Sequence, residues 1–202
     1  YDSIFNRLLK LPDATLLDDD LPMGSHPTGA WDWHEAAAGP VAEGSRARTQ
    51  TSKKHIQHYV MNLPRTPVDP SDTIQFFVYL DSNDPPREIM IQFNDGVGYD
   101  GGWPHRAFWG SDEIPYGQRD TQSRLRVGDL PKAGEWVRLS IPARDLGFTP
   151  GLSIVGMSFD QVAGTMHWDA VSITRGEPTA RDDAVGDVLW ALFSSPEFQY
   201  IR

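Results

Sequence analysis

The stretch TIQFFVYLD, residues 73–81, alternates Ile74, Phe76, Val78 and Leu80 with Gln75, Phe77, Tyr79 and Asp81. A period of two puts each set on its own face of an extended strand, whereas a helix would scatter the aliphatic set around its axis. REIMIQFND (87–95) repeats the pattern, with Ile89, Ile91 and Phe93 against Met90, Gln92 and Asn94. The intervening SNDPP is turn chemistry and predicts a hairpin-like connection. EWVRLSIP, SIVGMSFDQ and TMHWDAVSIT continue the series, and TLLDDD and HIQHYVMN supply earlier strands. Eighteen glycines and sixteen prolines in 202 residues provide the turns between them. The expected fold is all-β: an antiparallel β-sandwich or jelly roll.

The two ends change period. DSIFNRLLKL puts Ile4, Phe5, Leu8 and Leu9 on one helical face, and ARDDAVGDVLWALF does the same for Val185, Val188, Leu189, Leu192 and Phe193. Short amphipathic helices are therefore expected at both termini, giving a helix in 1–12, a sandwich over 13–175 and a helical tail over 176–202. Neither helix buries its apolar face alone, so each is expected to dock, on this domain or on the rest of a longer parent protein. A chain beginning at Tyr1 reads as a piece of such a parent, with no leader sequence in view.

The formal charge of −10 lacks the basic stripe that tracks phosphates, which argues against nucleic acid as a partner. No apolar run reaches the ~20 residues of a membrane helix. With no cysteine there are no disulfides, thiolate metal sites or covalent haem attachment in this chain. HExxH, G-x-S-x-G and P-loop motifs are missing. Glu88 or Asp95 with Asp112 or Glu113 has no spacing that recommends a glycosidase pair, so the chain is not expected to be an enzyme.

WPHRAFWG (103–110) sets the functional question. By alternation His105 and Trp109 share one face, and Arg106 and Phe108 the other. If Phe108 anchors the core, His105 and Trp109 look outward beside Trp103. That surface would suit a sugar, whose apolar CH face stacks on aromatic rings and whose hydroxyls meet amides, carboxylates and guanidinium groups. Trp103, His105, Arg106, Trp109, Gln92 and Asp95 are the side chains expected to bind it. The competing reading makes Trp103 and Trp109 a cover for the sheet under the 95–103 loop.

Asp18, Asp19 and Asp20 close the first strand, and Asp169 lies in the last. First and last strands of such sandwiches are often neighbours, so these carboxylates are candidates for a calcium site, with a solvated turn as the alternative. Asp169 alternates with Val171 and Ile173, which points it inward, and a buried aspartate needs a partner or a cation.

FFVYLDSNDPPREIMIQFNDG, WPHRAFWG, GDLPKAGEWVRLSIPARDLGF and GMSFDQVAGTMHWDAVSI together resemble a β-sandwich module of large secreted planctomycete proteins. Those proteins join a cytochrome-c-like region to planctomycete-specific domains of unknown function, and VGDVLWALFSSPEFQYIR is similar to their last residues. The resemblance spans about residues 13–175 and 180–202. It implies a carbohydrate-binding-module-like jelly roll, an extracytoplasmic location and a polysaccharide partner. It points to Trp103, His105, Arg106 and Trp109, to Gln161 in FDQVAGT, and to Trp168 and Asp169. By likeness to calcium-holding sandwiches, Asp169 and Asp19 would form a structural metal site. NDGVGYDGG lengthens the loop before Trp103, and no haem is expected in this chain. The expected function is a non-catalytic glycan-binding module. The alternatives are a structural or protein-interaction domain docking within a multidomain surface protein, and a sugar-active enzyme.

Overall fold

The computed structural model describes residues 11–97 and 99–176. Its strands are β1 (Ala14–Leu17), β2 (His26–Thr28), β3 (Asp32–Glu35), β4 (Arg46–Pro67), β5 (Thr73–Leu80), β6 (Glu88–Asn94), β7 (His105–Gly110), β8 (Leu125–Gly128), β9 (Trp136–Pro142) and β10 (Ser153–Thr174). The described residues are all-β, as the alternation requires. The helical patterns expected in 1–12 and 176–202 lie outside the described residues, apart from positions 11, 12 and 176.

Two long antiparallel strands organise the sandwich. β4 and β10 pair from Ser153↔Pro67 to Trp168↔Arg48. On its other edge β10 takes β6 along 156–162 and β5 along 166–174. All ten strands belong to one hydrogen-bonded sheet that β4 and β10 carry from layer to layer, and one half of the pair sits in its first layer, or first sheet, β2-β4-β10-β6-β7-β8. The other half sits in a second sheet with β3, β5 and β9, where β1 joins β10 at Ala14↔Ile173. All pairings are antiparallel except β7 with β8, which is parallel.

The turn from one sheet to the other is made at a bulge, where Ala163 and Gly164 have φ of 58° and 73°. Gly164 packs on the backbone of Pro85 and Pro86, where a Cβ would collide. SNDPP is thus not a hairpin. It carries the chain from β5 in the second sheet to β6 in the first, because both strands pair with β10 on either side of this corner. β10 itself runs unbroken through what alternation reads as two strands.

The core fills the space between the inner faces. Ile89, Ile91, Phe93 and Trp109 from the first sheet meet Phe76, Val78, Trp168 and Ile173 from the second. Each such side chain, fully removed from water, contributes about 1.5–3 kcal/mol. At the rim of the core, Arg48 is buried with its guanidinium 4.4 Å from the Trp31 ring centroid and 4.7 Å from that of Phe159. It donates to Gln50 Oε1 at 2.7 Å and pairs with His58 Nδ1 at 2.9 Å, so it pins the segment carrying Trp31 over the sandwich edge. Burial pulls its pKa down to about 9.

Candidate functional site

Strand register places one row of polar side chains on the outer face of the first sheet. Gln57↔Asp160, Asp160↔Met90 and Gln92↔Arg106 are direct cross-strand neighbours, and Tyr59↔Ser158↔Gln92 forms the adjacent row. Directly opposed residues share a face. Asp160, fully buried, is the hub. Its Oδ2 accepts from Gln92 Nε2 at 2.7 Å and from Ser158 Oγ at 2.7 Å, and its Oδ1 lies 3.1 Å from His55 Nε2. Gln92 Oε1 in turn accepts from Arg106 Nε at 2.6 Å. Charge-assisted bonds of this kind are short and set side-chain geometry firmly.

The row has two ends of different chemistry. At one end Met90, Phe108, Ile114 and Val162 form a second apolar cluster, with Tyr116 against it. The segment bearing Ile114 and Tyr116 is tied to the sheet by buried Glu88, whose Oε2 accepts from the Ile114 amide at 3.0 Å. Burial raises the Glu88 pKa, and burial followed by the Asp160 charge raises that of Tyr116. At the other end Trp103 meets Tyr59 edge to face, centroids 6.1 Å apart. Both rings are half-buried, as are His55, Gln57 and Tyr116. Asn94 holds the 95–102 loop beside them, donating to Gly101 O at 3.1 Å and accepting from the Gly96 amide at 2.8 Å.

Of the side chains expected to bind a ligand, Gln92 and Arg106 belong to this face and Trp103 stands at its edge. His105 and Trp109 do not look outward. Trp109 is in the main core, 5.8 Å from Phe76 between ring centroids. His105 stacks on Phe148 at 3.9 Å and 16°, with Nδ1 2.8 Å from Leu146 O. Arg106 and Phe108 take the outer face instead, because Phe108 has its own apolar cluster there. Asp95 sits on the His105 side, buried, with Oδ2 3.4 Å from His105 Nε2 and Oδ1 accepting from the Val97 amide at 2.8 Å. Gln161 is fully buried and fastens the corner bulge, donating to Ala163 O at 2.8 Å and Gly164 O at 2.7 Å. Sequence reasoning passed over Tyr59, His55, Ser158 and Asp160. The alternation within HIQHYVMN and GMSFDQ carries the signal, since each is out of phase with an aliphatic or aromatic core row.

The acidic positions sort differently from expectation. Asp19 turns to the neighbouring turn, where its Oδ1 accepts from the Ser45 amide at 2.7 Å and the Arg46 amide at 2.8 Å. Those bonds lower its pKa. Asp18 is the carboxylate whose charge Asp169 senses. Both have raised pKa values, first through burial; the Asp18 charge adds to the effect at Asp169, and Asp19 and Glu43 add to it at Asp18. Asp169 Oδ2 accepts from the Ala42 amide at 2.8 Å and the Glu43 amide at 3.2 Å. The Oδ1 atoms of Asp18 and Asp169 are both buried and without a hydrogen-bond partner. Asp169 does not share the face of Val171 and Ile173. A bulge at Ala170, φ 45°, shifts the phase, so Trp168 points to the core with them and Asp169 faces out beneath residues 42–43. No group of three or more His, Cys, Asp or Glu side chains gathers around a metal position among the described residues.

No family model matches the chain, and no curated protein matches it. Among solved structures it is similar to the K1 cleaved adhesin domain of Lys-gingipain from Porphyromonas gingivalis W83. That likeness has 11% identity and a TM-score of 0.51, over 81% of this chain and 97% of that one. It is also similar to a family 11 carbohydrate-binding module from Clostridium thermocellum in complex with a β-1,3-1,4-mixed-linked tetrasaccharide, at 12% identity and TM-score 0.45, over 83% and 98%. A third neighbour is TmCBM61 in complex with β-1,4-galactotriose, at 13% identity and TM-score 0.42, over 76% and 89%. The structural neighbours are thus adhesin domains and carbohydrate-binding modules at low identity, and what the chain shares with the adhesin domain is its β-sandwich fold.

Proposed function

We propose that the chain is a non-catalytic carbohydrate-binding module of a larger extracytoplasmic protein, of the planctomycete kind its motifs resemble. The glycan lies on the outer face of the first sheet. The observation that carries this reading is the adjacency of two half-buried rings, Tyr59 and Trp103, to half-buried Gln57 and His55, the latter held by the buried row of Asp160, Gln92 and Arg106 beneath. A pyranose stacks its CH face on a ring and turns its hydroxyls to preset donors and acceptors. Preset groups lose little freedom on binding, which favours affinity. Isothermal titration against xylohexaose, β-1,4-galactotriose and a β-1,3-1,4-mixed-linked tetrasaccharide, with a wider glycan array, tests it. Binding that disappears in Tyr59→Ala and Trp103→Ala with unchanged melting supports the reading, and silence across the array removes it.

A second reading, a structural or protein-interaction domain within a multidomain surface protein, is favoured by one observation. Asp160 spends both carboxylate oxygens on Gln92, Ser158 and His55, so the row also works as an internal lock. Under that reading the same two substitutions lower stability and no glycan binds.

The proposal extends to the first and last strands, where Asp18 and Asp169 hold a structural Ca2+. The cation neutralises the two unpartnered oxygens and ties the 42–43 turn to the sheet. A chelator-sensitive melting temperature is the expected result.

A further inference from the structure

The second sheet has its own outer face, and its register lines up Thr49↔His167↔Tyr79↔Trp136 across four strands. Tyr79 and Trp136 meet edge to face at 5.7 Å, and His167 lies 5.5 Å from Tyr79 and 6.4 Å from Trp136 between ring centroids. All three side chains are only half-buried. Behind them runs a hydrogen-bond relay. His34 Nε2 is 2.7 Å from Pro40 O, His34 Nδ1 is 2.8 Å from Thr49 Oγ1, and Thr49 Oγ1 is 3.1 Å from His167 Nδ1.

The protons in this relay follow from donor and acceptor chemistry. A proline carbonyl only accepts, so His34 Nε2 carries a proton. In the singly protonated ring His34 accepts at Nδ1, and the Thr49 hydroxyl spends its single proton there. Thr49 Oγ1 is left to accept from His167, whose proton must sit on Nδ1. His167 Nε2 is therefore a bare lone pair, with no hydrogen-bond partner among the described residues. Burial first, and then the charge that His34 takes when protonated, lowers the pKa of this ring to about 4.

We propose that this face is a second glycan-contact surface, with Tyr79 and Trp136 as stacking rings and His167 Nε2 as the acceptor of a sugar hydroxyl. A neutral acceptor between rings gives an anion nothing to pair with, whereas a hydroxyl-rimmed pyranose uses both features. The inference rests on the glycan-module reading but not on the first-sheet site.

The test is NMR on the full chain, following His167 ring nitrogens and Tyr, Trp and backbone signals during titration with the three oligosaccharides named above. The unliganded protein should show the Nδ1-protonated tautomer. Titration should move His167 Nε2 with the Tyr79 and Trp136 signals. Trp136→Ala should weaken that event about tenfold, the equivalent of one lost aromatic contact, and leave shifts at Tyr59 and Trp103 intact. His167→Phe, which keeps a ring and deletes the acceptor, should weaken it likewise if the alanine variant does not fold. Shifts confined to Tyr59 and Trp103 overturn the inference and spare the first-sheet site. Shifts confined to the second face support the inference and overturn that site. No shift anywhere, or self-association that Trp136→Ala abolishes, overturns the inference.

Discussion

Trp109 meets Phe76 edge to face across the two sheets, their ring centroids 5.8 Å apart. That contact makes Trp109 part of the seal between the layers, while Trp103, six residues earlier, stands half-buried against Tyr59. The two tryptophans should respond oppositely to removal. Trp109→Ala should lose about 3–5 kcal/mol of stability, the range for a large aromatic deleted from a packed core. Trp103→Ala should lose under about 1.5 kcal/mol and act on glycan affinity instead. Denaturant titration of both variants, beside binding, checks the pair.

Asp18 and Asp169 have raised pKa values, so without a cation the folded chain carries two charges it disfavours. Asp169→Asn should leave cation-free stability unchanged or higher, and it should abolish any rise in melting temperature on adding calcium. Wild type at a free calcium concentration of ~100 Kd should gain about 2.7 kcal/mol. Asp19→Asn should keep the calcium response and lose about 1 kcal/mol from the Ser45 and Arg46 amides. A wild-type melt indifferent to both calcium and chelator would remove the site.

Burial, followed by the charge on His34, lowers the His167 pKa to about 4, below the ~6.5 of a free imidazole. A basic group with a lowered folded pKa takes up its proton in the unfolded chain first. Stability therefore falls as pH drops from about 6.5 to about 4, by on the order of 1–2 kcal/mol from this ring once solvent screening of the half-buried site is counted, and its contribution is constant below that. His167→Gln should flatten that part of the stability curve. Equal slopes for variant and wild type between pH 6.5 and 4 would refute the assignment.

Gly164 combines a φ of 73° with the Pro85–Pro86 backbone where its Cβ would lie. Gly164→Ala should lose more than about 2 kcal/mol. Gly151→Ala, at φ 94° with nothing within 4 Å, isolates the conformational part alone and should lose about 1 kcal/mol. Equal losses in the two would show that the corner tolerates crowding.

Alternation made the strands readable, since the core rows of β5, β6 and β9 follow a period of two. It failed wherever the period slips. Ala163-Gly164 and Ala170 are bulges, and each moves the side chains after it to the other face, so Asp169 reads as inward when it is outward. The faces of β7 were undecidable by type, because His105 and Trp109 oppose Arg106 and Phe108, and each pair mixes a ring with a polar group. Phe108 settles outside only because Ile114 and Val162, from distant positions, cover it. SNDPP has the residues of a tight turn, and local chemistry does not say whether a turn closes a hairpin or steps between layers. Tyr59 and Asp160 could be placed on one face only once β4 was known to lie beside β10.

Ala14 pairs with Ile173, and the Arg175 amide donates to Asp13 Oδ1 at 2.8 Å. The polypeptide thus enters and leaves the sandwich side by side at one edge. Tension applied through residues 13 and 175 would open β1 from β10 like a zipper, one rung at a time, instead of shearing the long β4–β10 ladder. The sandwich thus resists a pull between these two points only as strongly as the short β1 rungs hold, whatever the strength of the β4–β10 ladder.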